Sequence, residues 1–432
     1  MSLSRFVASL VLVSLALPAA AGDLVASDDL RWYRGNMHTH SHWSDGDDYL
    51  ESIGLWYRDN DYDFLVFTDH NVLPTTERWV DVEKSKGKRK AYDKLKEKFP
   101  GWVEERETDG RLEVRLRTFD EVDEKLAIPG KFLLIQGEEV SDRFERYPIH
   151  LNASHVRELL RPQGGNSVSE VIQRNVDAAI AQRKKTGQAT LIHLNHPNFG
   201  YAVTAEDLFP IIGEQFFEVY NGHPTVHNTG DEQRASTERI WDIVLTKRLA
   251  EFDLPLMYGL ATDDGHNYHN IPSRAAEPGR GWVMVLAGEL SPEALVKSLE
   301  AGRFYASNGV TLKAISSTPG ELSVEVDPKS GETYTNDFIG TRAGYDHESK
   351  PVLDDDGKEI RTTRIYSSDI GETLATVEGT KAIYRFQGDE IYIRARITSS
   401  ADHPNPSEPG DKQRAWVQPI TGPGLTKDKT HF

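Results

Sequence analysis

The sequence predicts an α/β fold, a parallel strand–helix domain followed by a β-rich one, and three observations predict it. Short apolar runs rich in β-branched and aromatic residues alternate with helical patterns over about 290 residues. Nearly every such run is followed at once by an ionisable residue of metal-ligand type. After about residue 310 the pattern turns to alternating strands with frequent turn residues.

The elements follow in order. Residues 1–22 read as an export signal, with Arg5 ahead of an apolar run and Ala19-Ala20-Ala21 as a small-residue cleavage site. The run is too short and wrongly flanked for a membrane anchor, so the mature chain is expected in the periplasm or secreted. A strand–helix domain is expected over 23–310. Its buried strands are DFLVF (63–67), KFLLI (131–135), TLIHL (190–194), FFEVY (216–220), PLMYGLA (255–261) and GWVMV (281–285). A helix starts at Ser167 with Glu170 as a capping box and ends near Gly187. Another lies within 291–302, with proline early and glycine at its end. Residues 77–128 are highly charged and read as an insertion, either a solvated excursion or a lid. Residues 311–420, with ELSVEV, KAIYRF and EIYIRARI, form the β-rich domain, expected to be sandwich-like. Residues 421–432 read as a loose tail.

Composition narrows the function. The chain has 432 residues and a net charge of -18, which argues against binding a nucleic-acid duplex. An acidic protein can still take an anionic substrate if bound cations reverse the local sign. Cysteine is absent, so any metal site must be built from His, Asp and Glu.

The polar residues fall at strand ends. RWYRGNM leads into His38 and His40, DFLVFT into Asp69 and His70, and KFLLIQG into Glu138 and Glu139. TLIHLN leads into His196, and PLMYGLAT into Asp263, Asp264 and His266. Strands of a parallel barrel open their C-terminal ends on one face, where residues far apart in sequence would meet. Twelve of the fifteen histidines lie between His38 and His269. Alone, H-x-H reads equally as two surface residues, and Asp before His as a helix cap. Together they read as a metal cradle.

The stretches HTHSHWSDG (38–46), TDHN (68–71), GEEVS (137–141), HLN (150–152), NHPN (195–198), EVYNG (218–222) and TDDGH (262–266) resemble the polymerase-and-histidinol-phosphatase (PHP) family of metal-dependent phosphoesterases. They resemble its secreted members with a C-terminal β domain, and span roughly residues 31–310. The resemblance implies a distorted (β/α)7 barrel and a site for three divalent ions. His38 and His40 would hold one ion with Glu139 and Asp264. Glu139 would bridge to a second ion held by His150 and His196, and Asp45, His70 and His266 would hold the third. Such nitrogen and oxygen donors suit Zn, Mn or Fe. Two departures stand out: a longer segment between TDHN and GEEVS, and Asn195 where alanine is frequent. His42 and Trp43 are extra to the metal pattern, and either face substrate or pack the barrel mouth.

The implied chemistry is hydrolysis of a small phosphate ester, mono- or diester, by metal-bound hydroxide. Glu139 and Asp264 would be central to it. Asn221 is a candidate substrate contact and His223 a candidate proton donor, and loop-structuring roles are as open for both. Strand-end ligands alone leave a second enzyme class open, an amidohydrolase or lactonase attacking carbon at the same site. Of the neighbours Glu138 and Glu139, alternation along a strand sends only one into the pocket, and the G-x-E-x-S pattern selects Glu139.

Overall fold

A computed structural model describes residues 23–27, 29–213 and 215–425 of the chain. The export signal and the end of the tail lie outside the described residues. One sheet of thirteen strands dominates the structure. Its strands in chain order are β1 (Arg31–Asn36), β2 (Phe64–Phe67), β3 (Leu133–Phe144), β4 (Tyr147–Ser154), β5 (Leu191–Leu194), β6 (Phe216–Asn221) and β7 (Tyr258–Thr262). They continue with β8 (Trp282–Ala287), β9 (Phe304–Ser307), β10 (Tyr334–Arg342), β11 (Glu372–Glu378), β12 (Glu390–Asp402) and β13 (Lys412–Thr421). The spatial order is β7-β6-β5-β4-β3-β2-β1-β8-β9-β13-β12-β10-β11.

The first seven strands therefore lie side by side in sequence order. Four of their junctions are parallel, β1–β2, β2–β3, β5–β6 and β6–β7. The junctions β3–β4 and β4–β5 are antiparallel. A closed (β/α)7 barrel is not what the sheet forms. Only the short Glu145-Arg146 turn separates β3 from β4, too little chain for the crossover a parallel pair needs. The two ends of the run approach each other just past β1 and β7, at a single parallel bridge between Thr39 and Gly265. Asn36 pins that approach: its amide donates to the His38 carbonyl and its side-chain oxygen accepts from Asp263 N–H at 3.0 Å.

This topology decides where the polar residues meet. The parallel strands end on one side of the sheet and release their following residues there. Strand β4 runs the opposite way, so its beginning lies at that same end. His150, near the start of β4, is thus brought beside Glu139, well along β3.

The helices form where local chemistry permits. Helix α1 is Leu50–Asp59, α2 Lys88–Lys98, α3 Phe119–Leu126, α4 Val168–Thr186, α5 Ala205–Leu208, α6 Thr237–Ala250 and α7 Pro292–Glu300. At the start of α4, Ser167 Oγ accepts from Glu170 N–H at 3.1 Å. The Glu170 carboxylate turns instead to Asn166, so the box is half made. Gly187 ends the helix at a φ of 72°, which favours glycine. Helix α4 buries Val168, Val171, Ile172, Val176 and Ala179 in the main core.

The charged insertion is more than a solvated excursion. It forms a three-stranded sheet, Arg78–Asp81, Arg111–Leu116 and Glu105–Thr108, together with α2 and α3. Its Val82, Tyr92, Leu95, Val114 and Val122 share a core with Trp43, Tyr49 and Ile53. Glu51 on α1 faces this core and accepts from the Trp102 indole at 3.1 Å.

In the C-terminal part, Leu312–Thr318, Glu321–Val326 and Lys381–Arg385 make a second sheet with Asp23–Val25. Leu322, Val324, Phe338, Ile393, Ala395 and Val417 pack between it and β10–β13, giving two β layers. The inner layer is continuous with the main sheet, because β13 pairs with β9. Arg394 on β12 fixes it to α6 with hydrogen bonds to both Asp242 oxygens, at 2.8 and 2.7 Å, and the pair is buried.

Two predictions follow from this packing. Arg394→Ala leaves Asp242 buried on α6 without this cation, and should lower unfolding stability by about 3 kcal/mol in a denaturant titration. Burial pushes the Glu51 carboxyl up to about 7, which the Trp102 indole only partly offsets. A raised carboxyl pKa means that its stabilising share is full below the ordinary value near 4.5 and is lost as pH rises through 7. Glu51→Gln should therefore raise the melting temperature over wild type at pH 8, with the difference vanishing at pH 4.

Candidate metal centre

All nine residues expected as ligands are brought together. Their donor atoms fall into four overlapping groups, with the atoms of each group within 4.8 Å of one another. One group is His40, Asp45, His70 and His266. The others are His38, His40 and Glu139; His38, His196 and Asp264; and His70, Glu139 and His150. This partition differs in detail from the expected one. His196 groups with His38 and Asp264, although its Nε2 also lies 3.4 Å from Glu139 Oε1.

Glu139 is the shared centre. Its Oε1 lies 2.9 Å from His150 Nδ1 and its Oε2 lies 2.7 Å from His70 Nδ1 and 3.3 Å from His40 Nε2. Asp264 Oδ1 faces His38 Nε2 at 3.2 Å and His40 Nε2 at 3.3 Å. Asp264 holds a φ of 50°, a left-handed backbone rarely adopted by a residue with a side chain, and it does so at the cluster. Asp45 Oδ1 lies 3.2 Å from His266 Nε2 and 3.5 Å from His70 Nε2. Its Oδ2 meets Lys86 Nζ of the insertion at 3.2 Å.

The loop from His38 to Asp48 is folded tightly by Asp69. That carboxylate accepts from the backbone N–H and hydroxyl of both Ser41 and Ser44, at 2.6 to 3.0 Å. Asp69 is thus a loop clamp, while its neighbour His70 reaches the cluster. Gly46 is required here, since a Cβ would sit 2.3 Å from the His40 carbonyl oxygen. His42 and Trp43 pack inward: the His42 ring lies against Tyr49, and the Trp43 indole donates to the Arg117 carbonyl at 3.1 Å.

The electrostatics demand positive charge. Burial alone would raise Glu139 and Asp264, but the imidazoles around them hold both well below the usual carboxylate range. Burial would lower His70, yet Glu139 and Asp45 push it up to about 9. Several of these buried atoms crowd one another without an aligned hydrogen bond, among them His38 Nε2, His40 Nε2, Asp45 Oδ1, Glu139 Oε2 and His150 Nδ1. Orphaned polar atoms in a buried site are costly. Divalent cations would satisfy them and take the place of protons on the imidazoles. The donor set fits such ions.

Three supporting residues were assigned no role from the sequence, although Asn195 stood out as a departure from the resembled pattern. Glu218, fully buried, accepts at Oε1 from Thr262 Oγ1 at 2.8 Å and lies 2.7 Å from His38 Nδ1. Its Oε2 accepts from His196 N–H at 2.8 Å, so one carboxylate orients two candidate ligands. Asn195 donates to Glu139 Oε1 at 2.8 Å and to Asn152 at 2.9 Å, giving this position a direct hold on the central carboxylate. Asn152 in turn donates to the Met37 carbonyl ahead of His38.

Asn221 is fully buried. Its amide donates to Glu218 Oε2 at 2.8 Å and Asp264 Oδ2 at 3.2 Å, and its oxygen accepts from His223 N–H at 2.8 Å. It braces the carboxylates. His223 is half-buried at the rim, its ring edge-on to His266 at 5.3 Å, with Nδ1 accepting from Thr225 N–H. Glu138 points to the other face of β3, where it accepts from Leu160 N–H at 2.5 Å, and burial pushes it up to about 8.

No family model matches the sequence, and no curated protein does. The chain is similar to a solved two-domain protein of Bacteroides vulgatus, described as containing a predicted PHP-like metal-dependent phosphoesterase. Identity is 14%, coverage 93% of this chain and 99% of that one, and the TM-score 0.40. It is also similar to a solved protein of Bifidobacterium adolescentis described as a candidate metal-dependent phosphoesterase. There identity is 13%, coverage 55% of this chain and 90% of the other, and the TM-score 0.31. The functional reading is carried by the site's own geometry.

The two adjacent glutamates give a sharp test. Glu139→Gln should lower bound metal, measured by elemental analysis, and reduce turnover about a hundredfold or more. Glu138→Gln should keep its metal and at least partial turnover. Equal loss in both variants would overturn the assignment of Glu139 as the shared ligand.

Proposed function

We propose that the chain is a metal-dependent hydrolase of small phosphate esters, with His38, His40, Asp45, His70, Glu139, His150, His196, Asp264 and His266 as ligands of three divalent ions, Zn, Mn or Fe. The observation that carries this reading is the set of four interlocking donor groups around Glu139, with their orphaned nitrogen and oxygen atoms. The motif resemblance supplies phosphorus as the reacting centre. With it goes the reading of the seven-strand arc as a distorted barrel drawn together at Thr39 and Gly265. Bound divalent ions would supply Lewis acidity toward phosphoryl oxygens and lower the pKa of water.

The chain's own residues do the rest. Glu218 holds His38 and the backbone of His196 in place, and Asn195 and Asn221 fix the lone pairs of Glu139 and Asp264 that point away from the cluster. Among the described residues the serine hydroxyls nearest the cluster are engaged: Ser41 and Ser44 donate to Asp69, and Ser141 donates to the Glu139 carbonyl at 3.3 Å. Water is then the nucleophile. His223, a neutral ring whose Nδ1 accepts from Thr225 N–H and whose pKa burial lowers to about 4, would offer its Nε2–H as a hydrogen bond to the leaving oxygen, which takes its proton from water. The reading includes export of the mature chain, from the apolar N-terminal run behind Arg5.

Chelation should abolish hydrolysis of a simple aryl phosphate ester, and Mn or Zn should restore it. A panel of phosphomonoesters, phosphodiesters, lactones and amides checks the substrate class. Turnover of lactones or amides alone would replace phosphorus by carbon at the same site.

A further inference from the structure

A cavity of about 560 Å³ is lined by His150 and by Ser141, which touches His70, together with Arg143, Arg146 and Pro148 of the β3–β4 hairpin. That volume suits a small organic ligand. Arg146 and Pro148 also line a second cavity of about 230 Å³, whose other walls include Tyr147, Tyr201, Arg234 and Arg361. The two cavities adjoin at Arg146 and Pro148, and the surface groove they mark along the hairpin runs from His150 at the cluster to Arg361 of the C-terminal segment.

Arginine is concentrated in the groove, where Arg361 and Arg234 are already paired with Asp207 and Asp231. Four arginines line it in a protein of net charge -18. Of the two acids in the lining itself, Asp142 already accepts from Gly164 N–H at 2.8 Å and from the Asn175 amide at 2.9 Å. Glu145 stands exposed at the turn. Three guanidinium groups are pre-placed on aromatic faces: Arg361 lies 4.4 Å and Arg146 5.2 Å from the Tyr147 ring centre, and Arg234 lies 4.5 Å from that of Tyr201. Arg361 is further held by the Ala202 carbonyl and Asp207, and Arg234 by Asp231. Guanidinium forks oriented in this way, at the edge of a cavity, are suited to oxyanions. The Arg143 guanidinium has no hydrogen-bond or ion-pair partner among the described residues, and the guanidinium of Arg146 hydrogen-bonds only to Tyr147 Oη, at 3.2 Å.

We propose that this groove takes the alcohol part of the substrate, and that this part carries a second anionic group, phosphate or carboxylate, bound by Arg146, Arg234 and Arg361. The proposal rests on the hydrolase reading for placing the reacting ester at the cluster, and it names the substrate class that reading leaves open.

The test uses non-hydrolysable probes on the full, metal-loaded chain. Linear alkyl monophosphonates are compared by calorimetry with α,ω-bisphosphonates of graded chain length, alongside hydrolysis of an aryl phosphate. At one chain length the bisphosphonate should bind at least about tenfold more tightly than its monophosphonate. Arg146→Ala and Arg234→Ala, with wild-type circular dichroism, should each remove most of that preference. Equal binding of the two probe classes, or a preference that survives both variants, would overturn the proposal. If the aryl phosphate is hydrolysed but the preference is absent, the groove is wrong and the hydrolase stands. If the preference is present and depends on the arginines while no phosphate ester turns over, the anion site stands and the hydrolase reading fails.

Discussion

The negative charge on Glu139, completely buried and surrounded by His38, His40, His70, His150 and His196, is the constraint that the surrounding fold meets. A carboxylate in such a place is stable only with compensating positive charge and with every remaining lone pair satisfied. The imidazoles and the Asn195 amide provide part of this, and the unpartnered nitrogens around them point to cations as the rest. Each strand of the arc then contributes to the same end. The single bridge between Thr39 and Gly265, tied by Asn36, is what brings the residues after β7 within reach of those after β1.

The pieces outside the arc hold the cluster rather than merely surround it. The insertion packs a core of its own against Trp43 and Tyr49 and reaches Asp45 through Lys86, so the loop carrying three histidines is supported from behind. On the opposite flank the β layers of the C-terminal part continue the main sheet through β9 and β13, and Arg394 locks them to α6. The segment with Arg361 then returns to the arc, where Thr363 accepts from Ala205 N–H and Arg361 meets Asp207. A part of the chain with no chemical motif thereby supplies a wall of the groove beside the centre.

Supporting contacts are as specific as the ligand set itself. Glu218 satisfies His38 and His196 with one carboxylate, and Asn221 is spent entirely on Glu218, Asp264 and its own loop. These residues fix ring orientation and tautomer, on which the affinity of an imidazole for a metal depends.

The sequence by itself marked most of the residues that gather at the candidate metal centre, and the strands that carry them. Histidine and carboxylate placed directly after short apolar runs is a local pattern, readable from neighbours along the chain. The strands at 64–67, 191–194, 216–221 and 258–262 fall where their apolar runs predict. Local alternation along the strand sends Glu138 and Glu139 to opposite faces, and the G-x-E-x-S resemblance selects Glu139; the two carboxyls do face opposite sides of β3. Tertiary structure alone decided the antiparallel turn of β3 into β4, the continuity of the sheet into the C-terminal part, and the core of the insertion. It alone placed Asn195, Asn221 and Glu218 behind the ligands and gathered Arg146, Arg234 and Arg361 into one groove. Many of their partners lie tens of residues away or more, as Glu139 does from Asn195 and His38 from Glu218, and a hydrogen bond across such a separation leaves no period or spacing in a single chain to be read.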